Sequence, residues 1–409
     1  MFGWEMITGN IEDGYPEAVV RALSKGFLTE DNYSQLVACN SLDEFKLVLD
    51  ETDYGKYIIM NDGGRLDSIE LKKRLYEKLR DEIEYIMGQS SDTLQSFLQQ
   101  MMHYYQIENV IAFISGVKNN QDPGITLKAL NPLGQFSGLK SVHSFASEDF
   151  VNLFQDILID LPVGEYFRKF IDAITDHLKN PEGGDAGQKG GERITVDEIT
   201  QMINDNSASE IKVMLKKIWL ISFHRWIMRN CNGTTQEHMD ELLKAESDWE
   251  TLQIIYNSFN RPEMNDAKGQ GMRKKYFNNL GHLYPGRTKK LSEAKDYKDF
   301  TDKLEGTSYH HYFDKIPEPK VGENGPEIMV DVTIDDCQKK DLSRRYSMGF
   351  FGQFHYGAFY AYLKLKELEI ANIVQLSEIF AIGAFPKNHP AWKKVVPPFQ
   401  YDVDHKAEI

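Results

Sequence analysis

Shifted against itself by 255 residues, the chain aligns Leu36 with Leu291, Phe45 with Phe300 and Leu49 with Leu304. The same shift aligns Thr52 with Thr307, Tyr54 with Tyr309 and Tyr57 with Tyr312. A middle copy is fainter. Phe150 and Phe154 keep the four-residue spacing, and Tyr166-Phe167 stand where Tyr57-Ile58 and Tyr312-Phe313 stand. Downstream, Ile107-Glu-Asn-Val-Ile is similar to Ile370-Ala-Asn-Ile-Val. Self-similarity at a fixed offset is the mark of units that cannot bury their apolar faces alone and stack to do so. The expectation is three similar helical units packed side by side into one body.

The units read as helices. Capping-box pairs, Ser or Thr with Glu three residues on, stand at Ser41/Glu44, Thr195/Glu198, Ser207/Glu210 and Thr234/Glu237, each ahead of an apolar-periodic stretch. In Ala358–Ala381, Phe359, Leu363, Ile370, Val374 and Ala381 form one stripe. Ala361, Leu365, Leu368, Leu376 and Ile379 form a second. A helix apolar on two faces lies between neighbours. Strand-like alternation is confined to Ile328, Val330, Val332 and Ile334, so the fold class is all-α. Residues 180–193, with five glycines, and 315–326, with three prolines, read as loops.

With 41% apolar and 12% aromatic residues, 409 residues can bury sizeable cores. A formal net charge of −15 would be repelled by a phosphate backbone, and no basic run with interleaved aromatics offsets it, so nucleic-acid binding is not expected. Three dispersed cysteines, Cys39, Cys231 and Cys337, do not describe a disulfide scaffold, and the first residues carry no signal-peptide pattern. The 18 residues from Tyr346 to Leu363 lack Asp, Glu, Lys and Arg. They hold Gln353, His355, four tyrosines and three glycines, so the window reads as a packed aromatic helix and not as a membrane span.

Catalytic and cofactor patterns are missing. The glycine-rich run fails the phosphate-loop spacing, and Gly269-Gln-Gly271 lacks the third glycine of a dinucleotide fingerprint. His310-His311 point about 100° apart on a helix and cannot share a metal face. No HExxH, zinc spacing or GxSxG is present. His355, among aromatics, reads as a satisfied core histidine. No metal or cofactor is expected.

The motifs that remain resemble subunit d of the V-type proton ATPases. They run from Asn10-IEDGY-Tyr15 and Asp53-Tyr-Gly55 through Asn131-PLG, Ile157-LIDLP, Asn232-GTT, Tyr256-NSF and Leu280-GHLYP to Gln353-FHYGAFYAYLKLKELEIANIV-Val374, in order, over about residues 8 to 382. Two departures are the glycine-rich insertion near 180–206 and a long tail after Ala384. The resemblance implies an all-α funnel of three similar units in a pseudo-threefold arrangement, divided as 1–130, 131–280 and 281–409. It implies a non-catalytic rotor subunit of the membrane sector, on the cytosolic face of vacuolar or endomembrane compartments. Its partners would be the proteolipid c-ring, central-stalk subunits D and F, and subunit a, with membrane contact made through the ring. Asp13 and Tyr15 in the first motif, and Phe351, Gln353, Phe354, His355, Tyr356 and Phe359 around the last, are the expected partner-binding or signature packing positions. A helical adaptor in another assembly and an enzyme with dispersed residues are the competing readings.

Overall fold

A computed structural model describes residues 2–58, 67–119, 121–136, 139, 161–179, 208–259, 267–314, 316, 333–389, 392 and 394–399. Among these the regular elements are all helical, as expected. The first run is α1 (Phe2–Leu23), α2 (Glu30–Ala38), α3 (Leu42–Asp50), α4 (Gly55–Ile58), α5 (Ser68–Gly88), α6 (Asp92–Lys118) and α7 (Pro123–Ala129). Then come α8 (Gly164–Lys179), α9 (Ala208–Asn230) and α10 (Gly233–Ser258). The last are α11 (Ala267–Tyr276), α12 (Gly286–Ser292), α13 (Tyr297–Leu304), α14 (His310–Phe313), α15 (Ile334–Phe351) and α16 (Gly357–Ala381). The glycine-rich run, Thr195/Glu198, Ser207, Phe150, Phe154 and the 315–326 loop (Ile316 apart) lie outside the described residues, as do Ile328, Val330 and Val332; Ile334 opens α15.

Side-chain caps explain where the helices begin. Thr29, Ser41, Asp67, Asn232, Asp296 and Thr333 each accept a hydrogen bond from the backbone N–H of the third helical residue, one of the four donors a helix start leaves unpaired. Ser41 and Glu44 form half of the box their spacing predicts: the Ser41 side chain takes the Glu44 N–H, while Glu44 returns to the Asn40 N–H at 2.7 Å and not to that of Ser41. Thr234/Glu237 does not, because Asn232 caps that helix two residues earlier. The two full capping boxes, Thr29/Asn32 and Thr333/Asp336, use Asn and Asp at the position where the sequence pattern expects Glu.

Contacts divide the chain into two compact units, Met1–Leu98 with His224–Ile409, and Gln99–Phe223. In the first, α16 packs against α15, α5 and α1. It buries Phe359, Leu363, Ile370 and Val374 on one stripe and Ala361, Leu365, Leu376 and Ile379 on the other. Leu368 is half-buried and Ala381 exposed, where the helix ends. A second cluster gathers Trp249, Leu252 and Ile255 of α10 with Phe300, Leu304, Tyr309 and Phe313.

The self-similar segments also share their local bonding. The Leu49 carbonyl accepts from Thr52 N at 3.0 Å and Thr52 Oγ1 at 2.6 Å; the Leu304 carbonyl accepts from Thr307 N at 3.0 Å and Oγ1 at 2.7 Å. Glu369 takes the Tyr54 hydroxyl (2.6 Å) and the Leu28 N–H (2.6 Å). Asp248 takes the Tyr309 hydroxyl (3.0 Å) and the Leu283 N–H (3.2 Å). The second tyrosines, Tyr57 and Tyr312, donate to Asp81 (2.9 Å) and Asp341 (3.1 Å). Burial, reinforced by Glu369 and Asp248, pushes the Tyr54 and Tyr309 hydroxyls far up, so both keep the proton they donate.

In the second unit the same turn recurs with Gly164 N on the Leu161 carbonyl (2.9 Å) and Tyr166 N on the Val163 carbonyl (3.0 Å). Its tyrosine meets neutral partners, Tyr166 OH lying 2.9 Å from His103 Nδ1 and donating to Gln100 at 3.1 Å. Tyr166, Phe167, Phe170 and Ile171 are the buried face of α8, and Trp219 Nε1 donates to the Gln100 carbonyl at 2.9 Å.

One element differs from expectation. The Tyr346–Leu363 window is not one packed helix: α15 stops at Phe351, Gly352–Tyr356 turn, and α16 starts at Gly357. Among the described residues no helix is long and apolar enough to cross a membrane.

Candidate functional site

The break between α15 and α16 is where most of the sequence-marked residues meet. Two glycines permit it. A Cβ on Gly352 would collide with the His355 ring, and one on Gly357 would lie 2.8 Å from its Nδ1. The imidazole therefore folds back into the elbow between them. Phe354 adopts the left-handed region at φ 63, a conformation that costs a bulky residue about 1–3 kcal/mol and holds only where its surroundings fix it.

Those surroundings come from α1. Asp13, Glu17 and Arg21 recur every four residues and so share one helical face. Arg21 donates to the carbonyls of Phe350 (2.5 Å) and Gly352, the unpaired acceptors at the end of α15. Its guanidinium also lies 4.9 Å from the Phe350 ring centroid and pairs with Glu17 at 2.7 Å. Glu17 accepts the Phe354 N–H at 3.2 Å. Asp13 accepts the Tyr356 hydroxyl at 2.7 Å, the Ser91 N–H at 2.9 Å and the Ser91 hydroxyl at 2.8 Å, which ties the elbow to the start of α6. From α10, Thr235 Oγ1 accepts the Tyr356 N–H at 3.1 Å. Three helices are thus fastened onto one turn.

His355 is buried, 2% exposed, and its ring stacks on His238 with centroids 3.9 Å apart. Neither of its nitrogens has a hydrogen-bond partner, so it is a core histidine but not a satisfied one. Burial, with His238 and Arg21 adding to it, pushes its pKa down to about 3, and the ring is neutral. A neutral imidazole packs against glycine backbone at far smaller cost than a charged one.

The remaining marked residues separate. Phe359 is core, 2% exposed. Phe351 (61% exposed), Gln353 and Phe354 (37%) face outward with Met348 (63%). Phe354 is therefore not part of the packing that Phe350, Phe359 and Tyr360 supply, because the turn carries it past the helix ends, whereas Phe351, the last residue of α15, rests one side of its ring on Phe350 (6.3 Å) and Phe399 (5.6 Å). Tyr15 lies off the clamp face of α1 and shares a hydroxyl–hydroxyl bond of 2.9 Å with the exposed Tyr85. Sequence reading missed Glu17, Arg21, Ser91 and Thr235. The four-residue spacing of Asp13, Glu17 and Arg21 was the available signal.

The clamp's side chains, Asp13, Glu17, Arg21, Ser91, Thr235 and Tyr356, are engaged with backbone or with one another, whereas the His355 ring is not. Nothing there is poised to attack a substrate. Among the described residues no three His, Cys, Asp or Glu side chains are grouped to hold a metal. The arrangement joins two long helices at a bonded turn and presents an aromatic edge outward.

Residues 16–382 match the model of the family described as ATP synthase (C/AC39) subunit. A protein of Oryza sativa subsp. japonica, named "Probable V-type proton ATPase subunit d", is 29% identical over 93% of this chain and 96% of its own. The V-type proton ATPase subunit d of Dictyostelium discoideum is 28% identical over 91% and 92%. That of Saccharomyces cerevisiae is 26% identical over 91% and 94%.

Proposed function

The chain belongs to the ATP synthase (C/AC39) subunit family, and from that premise we propose that it is a non-catalytic, subunit d-type rotor coupler of a V-type proton ATPase. In this reading it sits on the cytosolic face of a vacuolar or endomembrane compartment, receives the central stalk of subunits D and F, and passes torque to the proteolipid c-ring. Subunit a is its neighbour. The body would be the three-unit funnel divided as 1–130, 131–280 and 281–409.

The observation that carries the proposal is the length of the match, from 16 to 382, together with relatives of nearly the same extent that are named as ATPase subunits. The elbow supports it physically. A part that transmits load must deform little, close-packed helices are poorly compressible, and here charge-assisted bonds from α1, with a neutral one from α10, fasten helices to one turn. Gln353 and Phe354 in that turn, with Met348 and Phe351 in the last turn of α15, are the exposed residues available to a partner.

The test is fractionation of membranes carrying the tagged chain. It should co-purify with the proteolipid ring and leave the membrane in alkaline carbonate, as a protein held by other proteins does. Retention after carbonate, or purification without the ring, overturns the coupler in favour of a lipid-inserted protein or an adaptor elsewhere.

A further inference from the structure

The formal charge of −15 conceals a segregation. Between Ala267 and Lys298, across α11, α12 and the start of α13, stand nine basic and two acidic residues, a net of +7 that leaves −22 on the rest of the chain. These three elements pack in succession, α11 on α12 and α12 on α13. Lys274, Lys289, Lys290, Lys295 and Lys298 are exposed. Among the described residues none of the five forms a side-chain ion pair, whereas Lys244 and Lys303 nearby are each paired at i,i+4.

The repeat supplies an internal control. Residues 12–43, the counterpart at the 255-residue offset, carry two basic and six acidic residues, a net of −4. The apolar positions are held in common: Leu36 and Leu291 are both fully buried, and Leu28 and Leu283 each give their N–H to a buried carboxylate. One scaffold is thus built with either charge. The shared apolar positions carry this scaffold, and exposed charges without an ion-pair partner do little for stability.

We propose that the Lys274–Lys298 face is an electrostatic docking surface for an acidic face of another protein of the complex. The proposal rests on the rotor reading above. A protein partner fits better than an anionic bilayer or a nucleic acid, because an extended phosphate surface would also meet the −22 carried by the rest of the chain, within a Debye length of about 8 Å wherever it came close. A partner of protein size engages the basic face alone. Tyr284, 44% exposed and set between Lys274 and Lys289 in sequence, is the kind of amphipathic residue that protein interfaces enrich. Opposed charges would speed and orient docking, with an effect that salt screens.

The experiment returns the full chain to membranes that carry the rest of the complex and have been stripped of it. Binding should weaken as salt rises. Lys289→Glu/Lys290→Glu/Lys298→Glu should lower the affinity by about tenfold or more at low salt, the corresponding Gln variant should fall between, and both should melt like the native chain. Reversal of three exposed lysines elsewhere, Lys56, Lys128 and Lys387, should have no such effect. If the native chain does not rebind at all, the rotor reading fails. If it rebinds and the reversal changes nothing, or the control triple weakens binding equally, the docking face fails. Binding of the native chain to protein-free phosphatidylserine vesicles that the reversal abolishes, or a self-association that it abolishes, also overturns the proposal.

Discussion

Arg21 and Phe354 show how much of the elbow depends on single side chains. Arg21→Ala would leave the Phe350 and Gly352 carbonyls without their donor and Glu17 without its counter-charge. Hydrogen bonds to a charged group contribute about 1.5–3 kcal/mol each, and side-chain exposure of 27% leaves little water to replace them. Chemical denaturation should show a loss of that order, with Arg21→Lys recovering only part because an ammonium cannot span both carbonyls. Full stability in Arg21→Ala would remove the clamp from the account. For Phe354 the backbone and not the ring sets the expectation. Phe359→Ala should cost about 3–5 kcal/mol, but Phe354→Gly should cost less than Phe354→Ala, since glycine adopts a φ of 63 without strain. Equal losses at 354 would mean the backbone is not the limiting feature.

His355 sets a pH dependence. The free imidazole titrates near 6.5, and the buried one stays neutral to about 3. Between those values the unfolded chain holds a proton that the native chain does not. Stability therefore falls as pH drops from about 6.5 toward 3. His355→Gln should flatten that part of the curve by up to one proton, measured by denaturant melts at successive pH values, and an unchanged slope would show that the ring is not desolvated.

At the scale of elements, what the sequence disclosed and what it hid divide along sequence distance. The repeat was visible because it is written in buried residues: Phe45, Phe300, Leu49 and Leu304 are all fully enclosed, and their spacing reports the same helix–turn–helix path. The α15–α16 elbow was hidden. No charged residue or proline marks a stop within Tyr346–Leu363, and the break is decided by a tertiary clamp whose donor, Arg21, lies 329 residues from its acceptor. Charge within the core was hidden for the same reason. Lys366 and Glu369 are 1% and 0% exposed and paired at 2.8 Å, yet in sequence KELE looks like a solvated face. Breaking such a pair strands a buried charge. Lys366→Met should cost about 3–5 kcal/mol, and Lys366→Met with Glu369→Gln should recover part of it. A double variant as unstable as the sum of the two single changes would show that the groups act independently.

At the scale of the whole chain, the segment beyond the family match closes a core that the match opens. The match ends at 382, and the tail read as an extension. In the structure its last described residues return to the first unit: Lys394 pairs with Asp336 at 3.4 Å, and the Phe399 ring packs edge-on against Phe27 (5.1 Å) and tilted on Phe350 (5.5 Å). The bond at its centre has a counterpart. The Asn372 side chain donates to the Val396 carbonyl at 2.8 Å and accepts its N–H at 3.4 Å. Asn109 brackets Asn131 in the same way at 2.8 and 2.8 Å. Asn109 and Asn372 are the matched asparagines of Ile107-Glu-Asn-Val-Ile and Ile370-Ala-Asn-Ile-Val. The tail therefore supplies to α16 what Asn131 supplies to α6. Ending the chain after His389 should lower the melting temperature and admit a hydrophobic dye at Phe27 and Phe350. Asn372→Ala should also destabilise, by about 1–3 kcal/mol, through the unpaired Val396 backbone. Because Asn372 acts through the tail, the truncated chain should lose much less on Asn372→Ala than the full chain does. Strict additivity of the two changes would show that Asn372 stabilises α16 without the tail, and the segment would then be a surface appendage.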